Sequence, residues 1–490
     1  MNALIKRIVQ KITVDYRRLS IVSDAGGFLS QDDVRSLLMS EHSIITVVGD
    51  ADALCAHYEQ VYQQSTAPER FLYLCDDIAH IPQAMREEAF VKEFSLCDVF
   101  PLFAAKGMLQ RLSFEVADML YSRYALRKIP MPECAGIIQS LKDEYAHSLT
   151  QTAGYCVEQL QGIALDWTCR SETIFKISAA MLPAVKNGLY DKIAPVLDVI
   201  NNSFQQWVSS QYFGTLQSNP LISPKSVNKI LPHLASKYGY DNKMALLVID
   251  GFAYWQYLVL KQRLAQDQIA ATDGCVLSWL PSVTFLSRQA IFRGAFPQKD
   301  YKQNPENEKK LWFGFWRERG FADCDIQYIA DKDDFTINAG VRRLAVVTSE
   351  MDEKMHSSIY NKDLYSLTEN FSGRIAVKIR EIFSQGFALY LATDHGSVLS
   401  HGWRTLTPAE KVFLYQDGSR GKRHLIYTDG GAQESFCNSN PLLNILQHDD
   451  FLCIRDTACF AKENSTIITH GGSHFLEMLI PFVKLTPDSK

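Results

Sequence analysis

The stretch Leu391-Ala392-Thr393-Asp394-His395-Gly396-Ser397 ends an apolar run that begins at Phe387. Such a run is typical of a short buried strand, so Asp394 and His395 are expected at its carboxyl end. A carboxylate and an imidazole are two different types of metal ligand, and Gly396 lets the chain turn away directly after them. One Asp-His pair occurs by chance in many chains. Its meaning therefore depends on the residues at the ends of the other strand-like runs.

The composition is that of an ordinary globular protein. The 490 residues exceed what one compact core needs, which predicts two or three domains. Hydrophobic residues make up 47% and charged residues 21% of the chain. A net charge of −5 argues against binding nucleic acid through bulk positive charge, although a local basic groove stays open.

The cysteines and the apolar runs indicate the compartment. The 11 cysteines are scattered without a CxxC pair, which favours reduced thiols in a cytoplasmic protein over a disulfide framework. No apolar run is long enough to span a bilayer, so no membrane association is expected.

Alternating strand-like and helical patterns predict three parts. Residues 1–125 are expected to form a small α/β domain, in which residues 1–40 look helical and Ser43–Val48 and Arg70–Cys75 look like parallel strands. Residues 126–237 have a mostly helical pattern broken by prolines, which favours a helical connector or interaction module. Residues 238–490 form the third predicted part.

The third part contains most of the histidines, with seven of the twelve between His356 and His474. Its first strand-like run, Met244–Ile249, leads directly to Asp250. A carboxylate at the carboxyl end of a parallel strand is a candidate ligand. For Asp250 alone, a role in a turn or a helix cap is an equal alternative. Residues 401–440 are expected to form an inserted loop or hairpin, with residues 412–415 and 424–427 as its strands.

Two further segments carry ligand types after apolar runs. Asp352 and His356 follow Leu344–Val347 and are four residues apart, so on a helical turn both side chains can face one ion. For this pair alone, a solvated helix start is the more ordinary interpretation. His470 precedes two glycines, whose missing side chains allow a close approach to a metal.

Thr284 lies in the run Leu280–Arg288, before a predicted short helix at Gln289–Arg293. A hydroxyl in this place can cap the helix, or act as a nucleophile if a metal or a base lowers its pKa. Arg288 can hold phosphate oxygens, so it is a candidate substrate-binding residue.

The candidate ligands are three aspartates, three histidines and one hydroxyl, all close to the ends of strand-like runs. They are Asp250, Thr284, Asp352, His356, Asp394, His395 and His470. These ligands suffice for two closely spaced divalent ions, an arrangement that serves phosphoryl transfer. Histidine together with carboxylate suits zinc.

The order of these motifs resembles the alkaline phosphatase superfamily, and more closely its PglZ branch. That branch typically shows a strand ending in Asp, then Pro-x-x-Thr-x-x-x-Arg, Asp-x-x-x-His, Ser/Thr-Asp-His-Gly, and His-Gly-Gly followed by Glu and Pro. The matching segments, between about residue 240 and residue 490, are Asp250, Pro281–Arg288, Asp352–His356, Thr393–Gly396, and His470–Gly472 with Glu477 and Pro481. The branch often continues after its first Asp with Ala, an apolar residue and Arg. This chain has Gly251-Phe252-Ala253 there, so a substrate-side arginine is expected to be missing.

The resemblance implies an alkaline-phosphatase-like α/β domain with a mostly parallel sheet flanked by helices. It implies two divalent ions, usually zinc and in some members manganese, with Thr284 as the nucleophile. The first ion would be bound by Asp250, Thr284, Asp394 and His395, and the second by Asp352, His356 and His470. PglZ proteins are known chiefly from bacterial BREX phage-defence systems, alongside a methyltransferase and large ATPases, so these are the expected partners.

The expected function is a metal-dependent phosphodiesterase or phosphatase that acts on a nucleotide or nucleic acid in antiviral defence. The alternative is a scaffold in a multi-protein defence complex, in which the metals are structural and chelation unfolds the protein. Sulfate-ester hydrolysis is disfavoured, because sulfatases use a modified Cys or Ser as the nucleophile where this chain has Thr284. The motifs assign no role to His401 or His474. We expect each of them to support a ligand from behind or to lie on the surface.

Overall fold

The computed structural model describes residues 2–65, 70–218, 223–298, 300–331, 333–356, 358, 361–415 and 421–487. The chain divides into two compact units, Met1–Thr152 and Ala153–Lys490. The boundaries at residues 125 and 237, which come from sequence pattern, stay predictions.

The first unit contains a four-stranded parallel sheet. Its strands are β1 (Leu19–Ser23), β2 (Ile44–Val48), β3 (Arg70–Cys75) and β4 (Phe90–Glu93). Its helices are α1 (Ala3–Ile12), α2 (Asp32–His42), α3 (Ala51–His57), α4 (Gln83–Glu88), α5 (Phe114–Tyr124) and α6 (Met131–Gln161), which extends past residue 152. The strand order is β2-β3-β1-β4. Both faces of the sheet are covered, because Leu72 and Leu74 of β3 join one hydrophobic cluster while Phe71 and Tyr73 join another.

The predictions for the first unit are partly confirmed. The strand-like runs at residues 43–48 and 70–75 correspond to β2 and β3. The helical interpretation of residues 1–40 is wrong, because β1 lies inside that range. A short apolar run that is buried on both faces has no period-2 pattern to distinguish it from a helix segment.

The second unit carries thirteen strands and, after α6, eleven helices among its described residues. The strands are β5 (Met244–Ile249), β6 (Ile269–Thr272), β7 (Cys275–Leu277), β8 (Ile326–Ile329), β9 (Arg343–Thr348), β10 (Ala388–Thr393), β11 (Val398–Gly402), β12 (His424–Ile426), β13 (Ile445–His448), β14 (Phe451–Ile454), β15 (Ala458–Cys459), β16 (Thr466–Thr469) and β17 (Leu479–Pro487). The helices are α7 (Arg170–Lys186), α8 (Tyr190–Leu216), α9 (Ile230–Lys237), α10 (Tyr254–Gln266), α11 (Thr284–Arg293), α12 (Pro305–Arg317), α13 (Glu350–Met355), α14 (Asn361–Ser384), α15 (Pro408–Lys411), α16 (Gly430–Ser439) and α17 (Phe475–Met478).

A seven-stranded sheet organises this unit, with the order β6-β17-β10-β5-β9-β8 and β7 paired to β17. Strands β10, β5, β9 and β8 run parallel, and β17 is antiparallel to β10. The predicted mostly parallel sheet flanked by helices is therefore confirmed. Within β5, Leu247 and Ile249 pack in the cluster that contains α7, α8, α10 and α14, while Leu246 and Val248 pack with α9, α11 and α12. Burial on both faces explains why this strand reads as an unbroken apolar run.

The chain between β10 and β17 forms two small three-stranded sheets, with the orders β15-β11-β16 and β12-β14-β13. The hairpin predicted over residues 401–440 is only partly confirmed. Its second strand is β12, but β12 pairs with β14 from outside the predicted range. Residues 412–415 contribute one isolated bridge, between Leu414 and Tyr427. None of the helices in the described ranges combines the length and apolarity needed to cross a membrane.

Candidate metal centre

Three neighbouring parallel strands bring candidate ligands to one edge of the large sheet. The register places Ile249 of β5 beside Thr393 of β10 and Thr348 of β9. Asp250 follows the first strand and Asp394 the second, and α13 begins two residues after the third. Because the carboxyl ends of parallel strands meet at the same edge, these segments lie together.

The first group of ligand atoms surrounds the hydroxyl of Thr284, the first residue of α11. Thr284 Oγ1 lies 3.0 Å from His395 Nε2 and 3.4 Å from Asp250 Oδ1. His395 Nε2 lies 3.4 Å from Asp250 Oδ1 and 3.8 Å from Asp394 Oδ2. The structure thus assembles the four residues that were predicted to bind one ion.

The second group adjoins the first. Asp352 Oδ1 lies 3.4 Å from His356 Nε2 and 3.7 Å from His470 Nε2. Ligand atoms of these three residues all lie within 4.8 Å of one another, and so do ligand atoms of Asp250, Asp352 and His395. Asp352 therefore lies close to residues of both groups. The structure brings all seven predicted residues together, and their roles as ligands stay predictions.

Backbone carbonyls fix how two of the histidine rings face the centre. Nδ1 of His395 lies 3.0 Å from the carbonyl of Gly396, and Nδ1 of His470 lies 3.0 Å from the carbonyl of Ser282. Since a carbonyl only accepts, each Nδ1 carries the proton and each Nε2 presents a lone pair. Burial lowers the pKa of His470 well below its ordinary value, which favours the neutral ring that binds metals.

Four buried ligand atoms lack a hydrogen-bond partner in the described part of the chain. They are Asp352 Oδ1, His356 Nε2, Asp394 Oδ2 and His470 Nε2. Leaving a buried polar atom unpaired costs about 1–3 kcal/mol, and more if it is charged. These atoms fit bound cations, because Asp394 Oδ2 belongs to the first group and the other three atoms belong to the second.

Burial and mutual repulsion disturb the protonation of the three carboxylates. Burial, followed by the charges of Asp394 and Asp352, raises the pKa of Asp250 well above its ordinary value. Burial also raises the pKa of Asp394 to about 6. Burial acts on Asp352 in the same direction, but His356 and His470 outweigh it and hold its pKa below the ordinary range. A divalent cation among these groups would offset both the desolvation and the repulsion, so the donor set fits such an ion.

Arg288, the predicted substrate-binding residue, lies among buried carboxylates, and its role in substrate binding stays a prediction. Its side chain is only 5% exposed, and its Nε and Nη2 donate to the two carboxylate oxygens of Glu308, each at 2.6 Å. Its Nη1 donates to Asp250 Oδ2 at 2.7 Å. Burial lowers the pKa of Arg288, but Glu308 and Asp250 outweigh it and raise the pKa well above its ordinary value. The guanidinium is engaged by buried carboxylates, so we interpret Arg288 as positioning Asp250 instead of contacting substrate.

Glu477 belongs to a motif that is visible in the sequence, but its role becomes apparent only in the structure. Its carboxylate accepts hydrogen bonds from the backbone N–H of Gly472 at 2.9 Å and of His474 at 3.2 Å. It also accepts from Nε of Arg423 at 3.0 Å, and both side chains are fully buried. Glu477 therefore fixes the loop that carries His470.

Helix α8, which lies in the predicted helical connector, also holds this loop. Gln205 Nε2 donates to the carbonyl of Ser473 at 2.7 Å, and the Ser473 hydroxyl donates back to Gln205 Oε1 at 2.8 Å. Asn201 Oδ1 accepts from the N–H of Phe475 at 3.3 Å. Two amide side chains four residues apart on an apolar helix face are the only sequence signal for this contact.

The two histidines that the sequence left unplaced lie outside both ligand groups. His474 is buried, and its Nδ1 accepts from the N–H of Leu476 at the start of α17. Burial lowers the pKa of His474 well below its ordinary value. His401 is exposed on β11.

The family model for the BREX system PglZ alkaline phosphatase-like domain matches residues 228–485, more than half of the chain. This chain belongs to the PglZ family. The resemblance that the motifs indicated is thereby confirmed, together with the alkaline-phosphatase-like fold of this region. No curated protein matches the chain.

Similarities of the PglZ chain to solved structures are distant. Murine ectonucleotide pyrophosphatase/phosphodiesterase 5 is 10% identical, with a TM-score of 0.35 over 49% of this chain and 88% of its own. Its human counterpart is 12% identical, with a TM-score of 0.34 over 50% of this chain and 87% of its own. Phosphonoacetate hydrolase from Sinorhizobium meliloti, in complex with phosphonoacetate, is 12% identical, with a TM-score of 0.34 over 52% of this chain and 92% of its own.

Proposed function

We propose that this PglZ protein is a metal-dependent hydrolase of phosphoric esters, a phosphodiesterase or phosphatase, with Thr284 as its nucleophile. The observation that carries the proposal is the convergence of buried, unpartnered ligand atoms beside the Thr284 hydroxyl. These atoms are Asp352 Oδ1, His356 Nε2, Asp394 Oδ2 and His470 Nε2. Membership of a family described as alkaline phosphatase-like supports the same class of reaction.

The proposed cofactors are two divalent ions, zinc first and manganese as the alternative. One would be held by Asp250, Thr284, Asp394 and His395, and the other by Asp352, His356 and His470, with Asp352 close to both groups. Bound there, the ions would act as Lewis acids towards phosphate oxygens and lower the pKa of the threonine hydroxyl.

The position of Thr284 suits nucleophilic attack. It is half-buried, whereas Asp250, Asp394 and His395 beside it are buried, so Thr284 is the most accessible residue of this group. It also begins the ten-residue helix α11, whose N-terminus favours a negatively charged group such as phosphate. In the proposed reaction Thr284 Oγ1 attacks phosphorus and the ester oxygen leaves as an alcohol. The proton that the Thr284 hydroxyl gives up is balanced by the one that the alcohol takes up. Water then attacks phosphorus and breaks its bond to Oγ1. This releases phosphate, or a monoester if the substrate was a diester, and a proton from the water restores the hydroxyl.

We further propose that the substrate is a nucleotide or nucleic acid and that the protein acts in the cytoplasm in bacterial antiviral defence. The expected partners are other components of the same system, a methyltransferase and an ATPase. The support for this role is the family description, which names the BREX system.

Hydrolysis of bis-p-nitrophenyl phosphate and p-nitrophenyl phosphate, with Zn²⁺ or Mn²⁺, tests the proposal. We expect the wild type to release p-nitrophenol and Thr284→Ala to lose more than about 1,000-fold in kcat, as removal of a nucleophile does in other hydrolases. Thr284→Ser, which keeps the hydroxyl, is the matched control and is expected to retain part of the activity. Metal content is measured on all three proteins.

The metal content separates the outcomes. Loss of turnover in Thr284→Ala with its metals retained would support the nucleophile directly. A metal-loaded wild type that hydrolyses neither ester would contradict the proposal and favour the scaffold alternative. Full activity of Thr284→Ala would show that Thr284 is not the nucleophile.

A further inference from the structure

The second unit contains a large cavity that shares a chain segment with the candidate metal centre. Its volume is about 690 Å³, within the range of sites that bind small molecules. Among the described residues that line it, none is a candidate metal ligand and none is Lys or Arg. Aromatic side chains dominate the lining, and they include Phe213, Trp279, Phe285, Phe296, Tyr415 and Tyr427.

One short segment forms a wall of the cavity and also carries the proposed nucleophile. Pro281, Phe285 and Leu286 line the cavity. Thr284 lies between these residues and directs its hydroxyl to His395 at 3.0 Å. The cavity wall and the group proposed to attack phosphorus are therefore immediate neighbours along the chain.

The aromatic rings of the lining present surfaces for a flat ring. Phe213 and His448 are stacked, with ring centroids 3.8 Å apart and planes 16° apart. Trp279 and Phe296 meet edge to face at 5.0 Å. Phe296 is 42% exposed and Tyr415 40% exposed, so part of each ring is accessible. Such rings bind nucleobases by stacking, with little dependence on the identity of the base.

The acidic residues of the lining favour one orientation of a bound nucleotide. Two adjacent carboxylates, Asp449 and Asp450, belong to the lining. Their negative charge disfavours phosphate in the cavity. A nucleotide is therefore favoured with its base in the cavity and its phosphate at the metal centre.

We infer that this cavity binds a nucleobase of the substrate while the phosphate ester of the same nucleotide lies at Thr284. The position of the phosphate rests on the proposed function, whereas the base site does not. A base inside a duplex is stacked and paired, so the site selects free nucleotides or single-stranded nucleic acid.

Equilibrium binding tests the inference without requiring turnover. The protein is full-length Thr284→Ala supplemented with zinc, and the calorimetric probes are guanosine 5′-monophosphate and ribose 5-phosphate, which differ only by the base. We expect the nucleotide to bind at least about 10-fold more tightly, the effect of one base stacked on an aromatic side chain. Adding Phe296→Ala or Tyr415→Ala is expected to lower this preference about 5-fold. Both side chains are partly exposed, so the substitutions should not prevent folding.

Phe413→Ala is the matched control. This aromatic side chain is 46% exposed, lies two residues from Tyr415 and is not part of the lining, so its removal should keep the preference for the nucleotide. Equal binding of the two probes, or a preference that survives both cavity substitutions, would overturn the base site. The cavity substitutions could lower the preference for the nucleotide even though the wild type hydrolyses no phosphoric ester. That result would support the base site and contradict the proposed reaction.

Discussion

At the scale of single residues, the pairing of Arg288 with two buried carboxylates leads to a prediction about stability. Arg288→Met leaves Asp250 and Glu308 buried without their cation, and loss of one partner from a buried ion pair costs about 3–5 kcal/mol. The free energy of unfolding, measured with urea, should fall by that amount. The control is Arg317→Met, whose pair with Asp323 is more than half exposed and screened by solvent, so its loss should change the free energy of unfolding little.

If Arg288→Met does not lower the free energy of unfolding, the substrate-binding role that the sequence predicted for Arg288 would be favoured. That role would appear as a raised KM in Arg288→Met with a free energy of unfolding close to that of the control. The positioning role instead predicts a loss of stability and a weaker metal affinity, because Asp250 loses the group that orients it.

Gly251 gives a second prediction at this scale. Its φ is +67°, and a Cβ added to it would lie 3.2 Å from both Cβ and Oδ1 of Asp352. Gly251→Ala should therefore cost about 1–2 kcal/mol for the left-handed backbone, and it should also displace Asp352 and weaken metal binding. Gly320→Ala is the control, because Gly320 has a φ of +85° with no atom within 4 Å of the added Cβ.

Competition with a chromophoric chelator measures the metal affinity of both glycine variants. We expect both to lose a similar amount of stability, whereas only Gly251→Ala should lose metal affinity. Equal metal affinities in the two variants would show that the contact with Asp352 does not matter for the centre.

The sequence could predict that the candidate ligands lie together, because each belongs to a short motif close to the end of a strand-like run. Asp250 and Asp394 end apolar runs, and strand ends converge on one edge of a parallel sheet. The role of Arg288 could not be predicted in this way. Its partner Glu308 is on α12, twenty residues further along the chain, and only the packing of α11 against α12 shows that the guanidinium is already occupied.

At the scale of elements, Glu477 connects the loop before α17 with the inserted sheets through Arg423, the residue before β12. Glu477→Gln removes the charge but keeps the shape, so a buried guanidinium loses its counter-ion and the backbone around Gly472 loses acceptor strength. We expect the His470 loop to loosen and the metal content to fall from two ions per chain to about one.

Elemental analysis of the dialysed protein measures this content. Glu410→Gln is the matched control, because the Arg404–Glu410 pair lies in the inserted region but is partly exposed and does not touch the His470 loop. Two ions retained in Glu477→Gln, with unchanged affinity, would show that Glu477 is not needed to position His470.

The elements themselves were predictable to different degrees. Runs that are apolar throughout, such as β5 and β10, were found because full burial in a parallel sheet requires that composition. β1 was missed because Ser20 and Ser23 interrupt its short apolar run and helical patterns lie on both sides of it. The support from α8 was missed because Asn201 and Gln205 are polar residues on a buried face, and their partners lie more than 250 residues away in the chain.

At the scale of the whole molecule, the two compact units have separate hydrophobic clusters, which predicts separate responses to metal removal. All seven tryptophans lie between Trp167 and Trp403, so tryptophan fluorescence reports only the second unit, whereas far-ultraviolet circular dichroism reports both. Since the candidate ligands all belong to the second unit, chelation should lower the unfolding temperature seen by fluorescence. A circular-dichroism transition that belongs to the first unit should stay in place.

The decrease in the unfolding temperature on chelation distinguishes a catalytic metal centre from a structural one. A metal at 100 times its Kd stabilises the folded state by about 2.7 kcal/mol per site. If the centre is pre-formed and catalytic, EDTA should lower the unfolding temperature of the second unit by several degrees, and this unit should stay folded at 25 °C. EDTA saturated with zinc is the control and should cause no shift. Loss of the native fluorescence at 25 °C in EDTA would mean that the metal contributes the folding energy itself, which favours the scaffold alternative. If the fluorescence midpoint does not move at all, the buried unpartnered atoms around Asp352 and His470 do not bind a metal, and the proposed reaction loses its main support.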